Sequence, residues 1–201
     1  PGQGPRLPWQ AGARGRDPER VGRPAGHRPH HPPRVHHLHH QPHPAHPLNR
    51  ALFLDRDGGI NINTGYCNRG EDFHFVPGIF DLCRAYQALG YQLIVVTNQP
   101  GIAHGFLTAA DLIDIHSHMD EGFKRQGVYL NGMYSCHEKD GPNRKPEPGM
   151  ILQAQREHDI DMANSIIIGD NITDVEAGRR AGVGCCILIP PNRLDAVPLP
   201  R

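Results

Sequence analysis

Two aspartates that follow a short apolar run are the residues best placed to do chemistry. The run is residues 51–54, the aspartates are Asp55 and Asp57, and two glycines close the stretch. Residues two positions apart in an extended segment point to the same side, so the carboxylates would lie close together and repel each other. A divalent cation relieves that repulsion: with Mg²⁺ bound, one carboxylate can attack phosphorus while the other carries a proton. A plain polar turn after a strand is the alternative for this stretch.

Two further polar groups could serve the same chemistry. Thr97 and Asn98 follow the apolar residues 91–96, and their side chains can donate hydrogen bonds to phosphate oxygens. Arg144 and Lys145 combine a planar fork of donors with a compact cation, a pair that suits a phosphate ester during transfer. Together with the two aspartates, these groups indicate phosphoryl chemistry.

A later apolar run, residues 165–168, supplies more carboxylates. Gly169 and Asp170 follow it, and Asp174 comes four positions after Asp170. Because Mg²⁺ prefers hard oxygen ligands, Asp170 is predicted to be the third protein ligand of a magnesium ion.

The elements that must position these groups alternate between strand and helix. Apolar runs predict the strands, while proline, glycine and capping signals mark the helices between them. This order predicts an α/β fold: a doubly wound parallel sheet with flanking helices, whose right-handed crossovers bring all the motifs to one edge. The connections after the first two motifs are too short for a large cap domain. The predicted strands are 51–55, 91–97, 130–135, 165–169 and 184–189, and the predicted helices are 78–89, 108–126, 148–158 and 172–181.

Four motifs resemble, in the same order, those of the haloacid-dehalogenase (HAD) superfamily phosphatases. They are residues 55–58, residues 97–99, residues 144–146, and residues 169–170 with Asp174. Three further stretches, at residues 63–66, 76–78 and 101–105, are similar to the D-glycero-D-manno-heptose 1,7-bisphosphate 7-phosphatases and to the related histidinol phosphatases. The resemblance covers about residues 49–190. It implies the same doubly wound fold and a phosphatase activity.

The resemblance also implies a role for each catalytic residue. Asp55 would attack phosphorus and become an aspartyl phosphate, and Asp57 would protonate the leaving oxygen and later activate water. Thr97 would hydrogen-bond the phosphoryl group, and Lys145 would neutralise its charge. Asp55, the backbone carbonyl of Asp57 and Asp170 would hold Mg²⁺.

The expected partner is a small phosphorylated sugar. Arg144 would recognise it, and residues from three loops would line the sugar side of the site. The implied substrate-binding residues are Asn63, Thr64, Gly65, Tyr66, Asn98, Arg144 and Asn171.

Three departures from the family pattern bear on the substrate more than on the reaction. Gly59 stands where the family usually has threonine, which removes one small polar contact. Only Cys136 and His137 precede Arg144, so the three-cysteine, one-histidine zinc loop of the family cannot be assembled and no structural zinc is expected. Asn171 replaces a frequent lysine.

Composition divides the chain into two unlike parts. Residues 1–48 hold nine of the fifteen histidines and seven arginines against two acidic residues, whereas residues 49–201 carry fourteen basic and nineteen acidic residues. The first part cannot bury enough apolar surface to fold, so we expect a disordered segment followed by one phosphatase domain. Because the first methionine is Met119, the sequence is either a fragment or is extended upstream of the true start; we expect the latter, with translation starting near Leu48 at a non-AUG codon.

The same composition limits the partners and the compartment. No run reaches the length of a membrane span, and no nucleic-acid motif is present. Five cysteines without metal spacing indicate reduced thiols, so we expect a cytoplasmic monomer. The function predicted from the sequence is a Mg²⁺-dependent phosphomonoester hydrolase that acts on heptose 1,7-bisphosphate. The alternatives are a phosphatase of histidinol phosphate or another small metabolite, and a catalytically weak protein that binds metal through its histidine-rich tail.

Overall fold

A computed structural model describes residues 48–63, 65, 67, 69–195 and 197. The segment 1–48, predicted to be disordered, lies outside these residues except for Leu48, so that prediction stays untested. Within the described part of the chain, no helix is both long enough and apolar enough to cross a membrane.

Across the described residues, five strands and four α-helices alternate, as the sequence predicts. Each predicted element is present, with bounds that agree within two residues and that coincide for the last helix. The strands are β1 (Arg50–Leu54), β2 (Tyr91–Asn98), β3 (Gly132–Cys136), β4 (Ile166–Gly169) and β5 (Cys185–Leu188), and the helices are α1 (Ile79–Ala88), α2 (Ala109–Arg125), α3 (Gly149–His158) and α4 (Ile172–Ala181).

The strands form one parallel sheet in the order β3-β2-β1-β4-β5. β1 is the central strand, with Leu54 opposite Val95 of β2 and Ile168 of β4. In a doubly wound sheet, ligands bind beyond the carboxyl ends of the strands where the order reverses, which here is the end of β1. The prediction of this fold is confirmed.

Alternate residues of each strand face opposite apolar clusters, which gives three layers. Leu52 and Leu54 pack on the side of α1 and α2, in a cluster that includes Ile79 and Phe123. Phe53 packs on the opposite side, in the cluster formed with α3 and α4. The central strand is therefore buried on both faces, which explains its continuous apolar sequence.

Local signals fix the start of α2 and the end of α1. Thr108 accepts a hydrogen bond from the Asp111 N–H at 3.1 Å, and the Thr108 N–H donates to the Asp111 carboxylate at 2.8 Å, so the predicted start of α2 is confirmed. α1 ends before Gly90, which has a positive φ of 80°.

Candidate active site

The first motif begins where β1 ends and is hydrogen-bonded to the neighbouring strand β4. The Asp55 N–H donates to the Ile168 carbonyl at 3.0 Å, so the chain continues in register with β4 for one more residue. A tight turn follows, in which the Ile60 N–H donates to the Arg56 carbonyl at 2.8 Å. This geometry places the Asp55 side chain at the carboxyl edge of the sheet, 8% exposed.

Lys145 bridges two acidic residues from different elements: Asp55 follows β1, and Asp174 lies in the first turn of α4. Its Nζ lies 2.6 Å from Asp55 Oδ1 and 2.6 Å from Asp174 Oδ1. The same nitrogen donates to the Val96 carbonyl at 2.7 Å. Three charged groups are thus buried together, and their opposite charges compensate the loss of hydration.

Burial and charge oppose each other in this group. Burial raises the pKa of Asp55 to about 7, although Lys145 acts in the opposite direction. Burial would lower the pKa of Lys145, but Asp55 and Asp174 outweigh it and raise that pKa. Lys145 therefore remains a cation beside Asp55.

Asn98 holds the loop that carries Lys145. Its Nδ2 donates to the Lys145 carbonyl at 2.9 Å, and its Oδ1 accepts from the Lys145 N–H at 3.0 Å. Asn98 also lines the cleft, as the sequence predicts, but in this conformation both polar atoms of its side chain are engaged with the backbone of Lys145.

Two donors hold the carboxylate of Asp57. The Arg56 guanidinium, which is 2% exposed, donates to Asp57 Oδ1 at 2.9 Å and to Oδ2 at 2.8 Å. Gln99 Nε2 donates to Asp57 Oδ2 at 2.7 Å and also to Thr97 Oγ1 at 3.0 Å. Behind Arg56, burial lowers the pKa of His116 to about 4, so this imidazole stays neutral.

Thr97 lies beneath the surface of the cleft. It is 1% exposed and is not among the described residues that line the cleft. The Gln99 amide occupies one acceptor position of the Thr97 hydroxyl, and the hydroxyl keeps its own proton to donate.

Three carboxylates form a group that could hold a metal ion. Oxygens of Asp55, Asp170 and Asp174 lie within 4.8 Å of one another. Asp174 is already bound on both oxygens, to Lys145 and to the Asn171 N–H at 3.0 Å, which leaves Asp55 and Asp170 as the freer ligands. Hard carboxylate oxygens fit Mg²⁺. Burial, followed by the charge of Asp174, raises the pKa of Asp170 to about 6.

The glycines of the first motif allow these groups to approach closely. Gly58 has a positive φ of 87°, and a Cβ on it would lie 2.0 Å from Asp170 Oδ2. A Cβ on Gly59 would lie 2.5 Å from the Asp55 carbonyl. The departure at Gly59 thus removes a side chain and also permits a tighter turn than threonine would allow.

We call Asp55, Asp57, Lys145, Asp170 and Asp174 the reaction half of the cleft. The recognition half consists of the loop-borne residues Asn63, Gly65, Arg144 and Asn171, all of which line the same cleft of about 340 Å³. The predicted substrate-binding residues Thr64 and Tyr66 lie outside the described residues.

Backbone contacts occupy part of the recognition half. Asn63 Oδ1 accepts from the Gly65 N–H at 3.1 Å, and Arg144 donates to the Glu138 carbonyl at 3.2 Å. Asn171 caps α4, with its Oδ1 accepting from the Thr173 N–H at 3.1 Å. Among the described residues, Arg144 donates through one guanidinium nitrogen, which leaves the others available to the cleft.

Three residues that the structure places in the reaction half or beside it have no site role predicted from the sequence. Asp174 follows Asp170 by one helical turn, and that spacing could have indicated a shared face. Gln99 follows Thr97 by two positions in an extended segment, which places both side chains on one side. No sequence signal indicates that Arg56 forms an ion pair with the adjacent residue, Asp57.

The chain is similar to phosphatases of known substrate. A family model described as HAD-hydrolase-like matches residues 142–189. A D-glycero-alpha-D-manno-heptose-1,7-bisphosphate 7-phosphatase from Campylobacter jejuni is 45% identical over 147 residues, which is 73% of this chain and 86% of the relative. A D-glycero-beta-D-manno-heptose-1,7-bisphosphate 7-phosphatase from Yersinia pestis is 42% identical, over 69% of this chain and 79% of the relative.

Solved structures of phosphatases are also similar to this chain. A HAD-like phosphatase from Mesorhizobium loti is 33% identical, with a TM-score of 0.65 over 68% of this chain and 70% of the other. The D,D-heptose 1,7-bisphosphate phosphatase from B. bronchiseptica, complexed with magnesium and phosphate, is 28% identical, with a TM-score of 0.63 over 68% of this chain and 78% of the other.

Proposed function

Because the chain belongs to the heptose 1,7-bisphosphate 7-phosphatase family of HAD-like hydrolases, we propose that it removes the 7-phosphate of D-glycero-D-manno-heptose 1,7-bisphosphate. The chain is a phosphomonoester hydrolase. The observation that carries the residue assignment is the buried contact of 2.6 Å between Lys145 and Asp55 in the cleft. It puts a fixed cation beside a carboxylate that can attack phosphorus.

In the first step, Asp55 attacks phosphorus and the sugar alkoxide leaves. The free oxygen of Asp55 forms the new bond, while Lys145 offsets the charge on the transferring phosphoryl group. Asp57 gives a proton to the leaving oxygen, which requires that its carboxyl group turn away from Arg56. The products of this step are the alcohol and an aspartyl phosphate.

In the second step, water hydrolyses the aspartyl phosphate. Asp57, now a carboxylate, takes a proton from the water as it attacks phosphorus, and Asp55 is regenerated. Gln99 and Arg56 can both orient the Asp57 carboxylate for this task, since they donate to its two oxygens.

Asp55, the carbonyl of Asp57 and Asp170 would hold a magnesium ion. When bound, the ion lowers the repulsion between the negatively charged phosphoryl group and the negatively charged nucleophile. We propose that no structural zinc accompanies it. In support, His137 faces the Ser135 hydroxyl at 2.9 Å, and Cys136 is the one cysteine in the stretch before Arg144.

The recognition half is proposed to bind the sugar and its second phosphate. Arg144 offers a cationic fork that suits a phosphate, and Asn63 and Asn171 offer polar groups for hydroxyls. Relatives of similar identity are named for the alpha and for the beta anomer, so identity alone does not choose between them.

Phosphate release from a panel of substrates tests the proposal. The full chain with Mg²⁺ is given both heptose 1,7-bisphosphate anomers, histidinol phosphate and simple sugar phosphates, with Asp55→Asn as the blank. We expect selective release from one heptose anomer. Preference for histidinol phosphate would replace the substrate assignment, and no release from any ester would favour a non-catalytic role.

We also propose that residues 49–201 are the phosphatase domain and that the enzyme acts as a cytoplasmic monomer. All five cysteines are free, which agrees with a reducing compartment. Light scattering of the purified chain measures its mass in solution, and a dimer mass would reject the monomer.

A further inference from the structure

A segment after the last strand runs from β5 to the first motif. We call residues 189–195 the crossing segment. The Ile189 N–H donates to the Gly169 carbonyl at 3.0 Å, which fixes the start of the segment beside β4. Leu194 is 6% exposed and belongs to the same apolar cluster as Ile60, so the other end is also anchored.

Asn192 lies between these anchors and contacts the recognition half and the turn that follows Asp57. Its N–H donates to the Gly58 carbonyl at 2.8 Å, in the turn that carries the two motif aspartates. Its Oδ1 accepts from the Asn63 N–H at 2.7 Å. Asn63 in turn accepts from the Gly65 N–H. A single residue therefore connects the nucleophile turn to the recognition loop.

The backbone of Asn192 is suited to this position. Its φ of 63° is in the left-handed region, which asparagine tolerates better than most residues other than glycine. Two variants separate the two contacts. Glycine keeps the conformation and the N–H contact with Gly58 but loses the side-chain acceptor. Aspartate keeps an acceptor.

We propose that Asn192 is a positioning residue for substrate specificity, which sets the distance between the recognition loop at Asn63 and the nucleophile turn at Gly58. The inference rests on the proposed function, because it requires that this loop contact the sugar. A polyhydroxylated sugar phosphate that spans both halves depends on the distance, whereas a small aryl phosphate that reaches only the reaction half does not.

The reaction half has its own supports. Asp55 is held by Lys145 and by the Ile168 carbonyl, and these contacts do not use the side chain of Asn192. Loss of that side chain should therefore affect substrate binding and leave the chemical step intact.

Steady-state kinetics on two substrates tests the inference. In Asn192→Gly we expect KM for heptose 1,7-bisphosphate to rise about tenfold, with kcat and both constants for p-nitrophenyl phosphate within about twofold of the wild type. Asn192→Asp should recover most of the lost affinity. The matched control is Arg193→Ala, which removes the exposed ion pair with Asp195 and should change neither substrate.

Hydrogen exchange gives a readout that needs no substrate. The amides of Asn63 and Gly65 should exchange faster in Asn192→Gly, while that of Asp55 should stay protected. Unchanged exchange at Asn63, or an equal loss on both substrates, would overturn the inference. A wild type that hydrolyses only p-nitrophenyl phosphate would instead overturn the proposed substrate, and the exchange result would still decide the role of Asn192.

Discussion

The reaction half and the recognition half of the cleft are built in different ways. The reaction half lies beyond the carboxyl ends of the strands and has a buried centre: the side chains of Lys145 and Asp174 are each 2% exposed. The recognition half is borne by loops, and Asn63 and Gly65 are exposed. A rigid sheet thus fixes the chemistry, while exposed loops are free to fit the substrate.

The two halves should also respond differently to substitution. In the reaction half, removing one charge leaves a buried partner uncompensated, which costs free energy as well as activity. In the recognition half, water can replace a lost contact, so only substrate affinity should suffer. Each prediction below tests one side of this contrast.

The largest effect is expected from Asp55→Asn. An amide is not a nucleophile toward phosphorus, so phosphate release should be abolished on every substrate. Asp81→Asn, which removes an exposed carboxylate in α1, is the matched control and should keep wild-type activity. Turnover by Asp55→Asn above the blank would remove Asp55 from its proposed role.

Lys145→Ala should lower kcat by roughly two to three orders of magnitude. The loss follows from the missing charge neutralisation in the transition state and from the repulsion left between Asp55 and Asp174. Measurement of kcat and KM separately decides the role of this lysine. A rise in KM alone would make Lys145 a residue that binds the ground state, and the contrast between the halves would fail.

Magnesium affinity should depend steeply on pH. The raised pKa values of about 7 for Asp55 and about 6 for Asp170 mean that both carboxyl groups bind protons as the pH falls through that range. Since the ion must displace both protons, its affinity should fall about a thousandfold between pH 8 and pH 5. Calorimetric titration at several pH values measures it. A flat profile would show that these carboxyl groups do not hold the ion.

Arg144→Ala tests the recognition half. The guanidinium is half-buried and lines the cleft, so its loss should raise KM for the sugar bisphosphate about tenfold and leave kcat nearly unchanged. Arg156→Ala, a substitution on α3, serves as the control. If kcat fell as far as in Lys145→Ala, Arg144 would belong to the reaction half.

The smallest effect is expected from deletion of residues 1–47. All the residues assigned to the two halves lie within residues 49–201, so kcat/KM should stay within about twofold of the full chain while binding of Ni²⁺ is lost with the histidines. A large drop in kcat/KM would assign the segment a part in catalysis.

The sequence predicted the fold closely because its signals are local. Apolar runs, glycine stops and the capping pair of Thr108 and Asp111 each depend on a few neighbouring residues. The parallel order then followed from general rules of chain connection, which brought the four motifs to one edge.

The partners within the site were harder to predict because they arise from distant contacts. Lys145 meets Asp174 through the packing of α3 beside α4, and Asn192 meets Asn63 across 129 residues of sequence. The spacing of residues along the sequence does not predict contacts between such distant positions. Most of the chemical groups of the site could therefore be predicted from the sequence, but the hydrogen bonds and ion pairs between them could not.

The pairing of the central strand has a consequence for synthesis of the chain. β1 pairs with β2 at one edge and with β4 at the other. The partner of the Ala51 N–H, the Ser165 hydroxyl, lies 114 residues further along the chain. During translation, β1 therefore keeps one open hydrogen-bonding edge until most of the domain has left the ribosome. The nascent chain is most exposed to aggregation in that interval, and a ribosome stalled before β4 would hold a chain that cannot yet assemble its catalytic carboxylates.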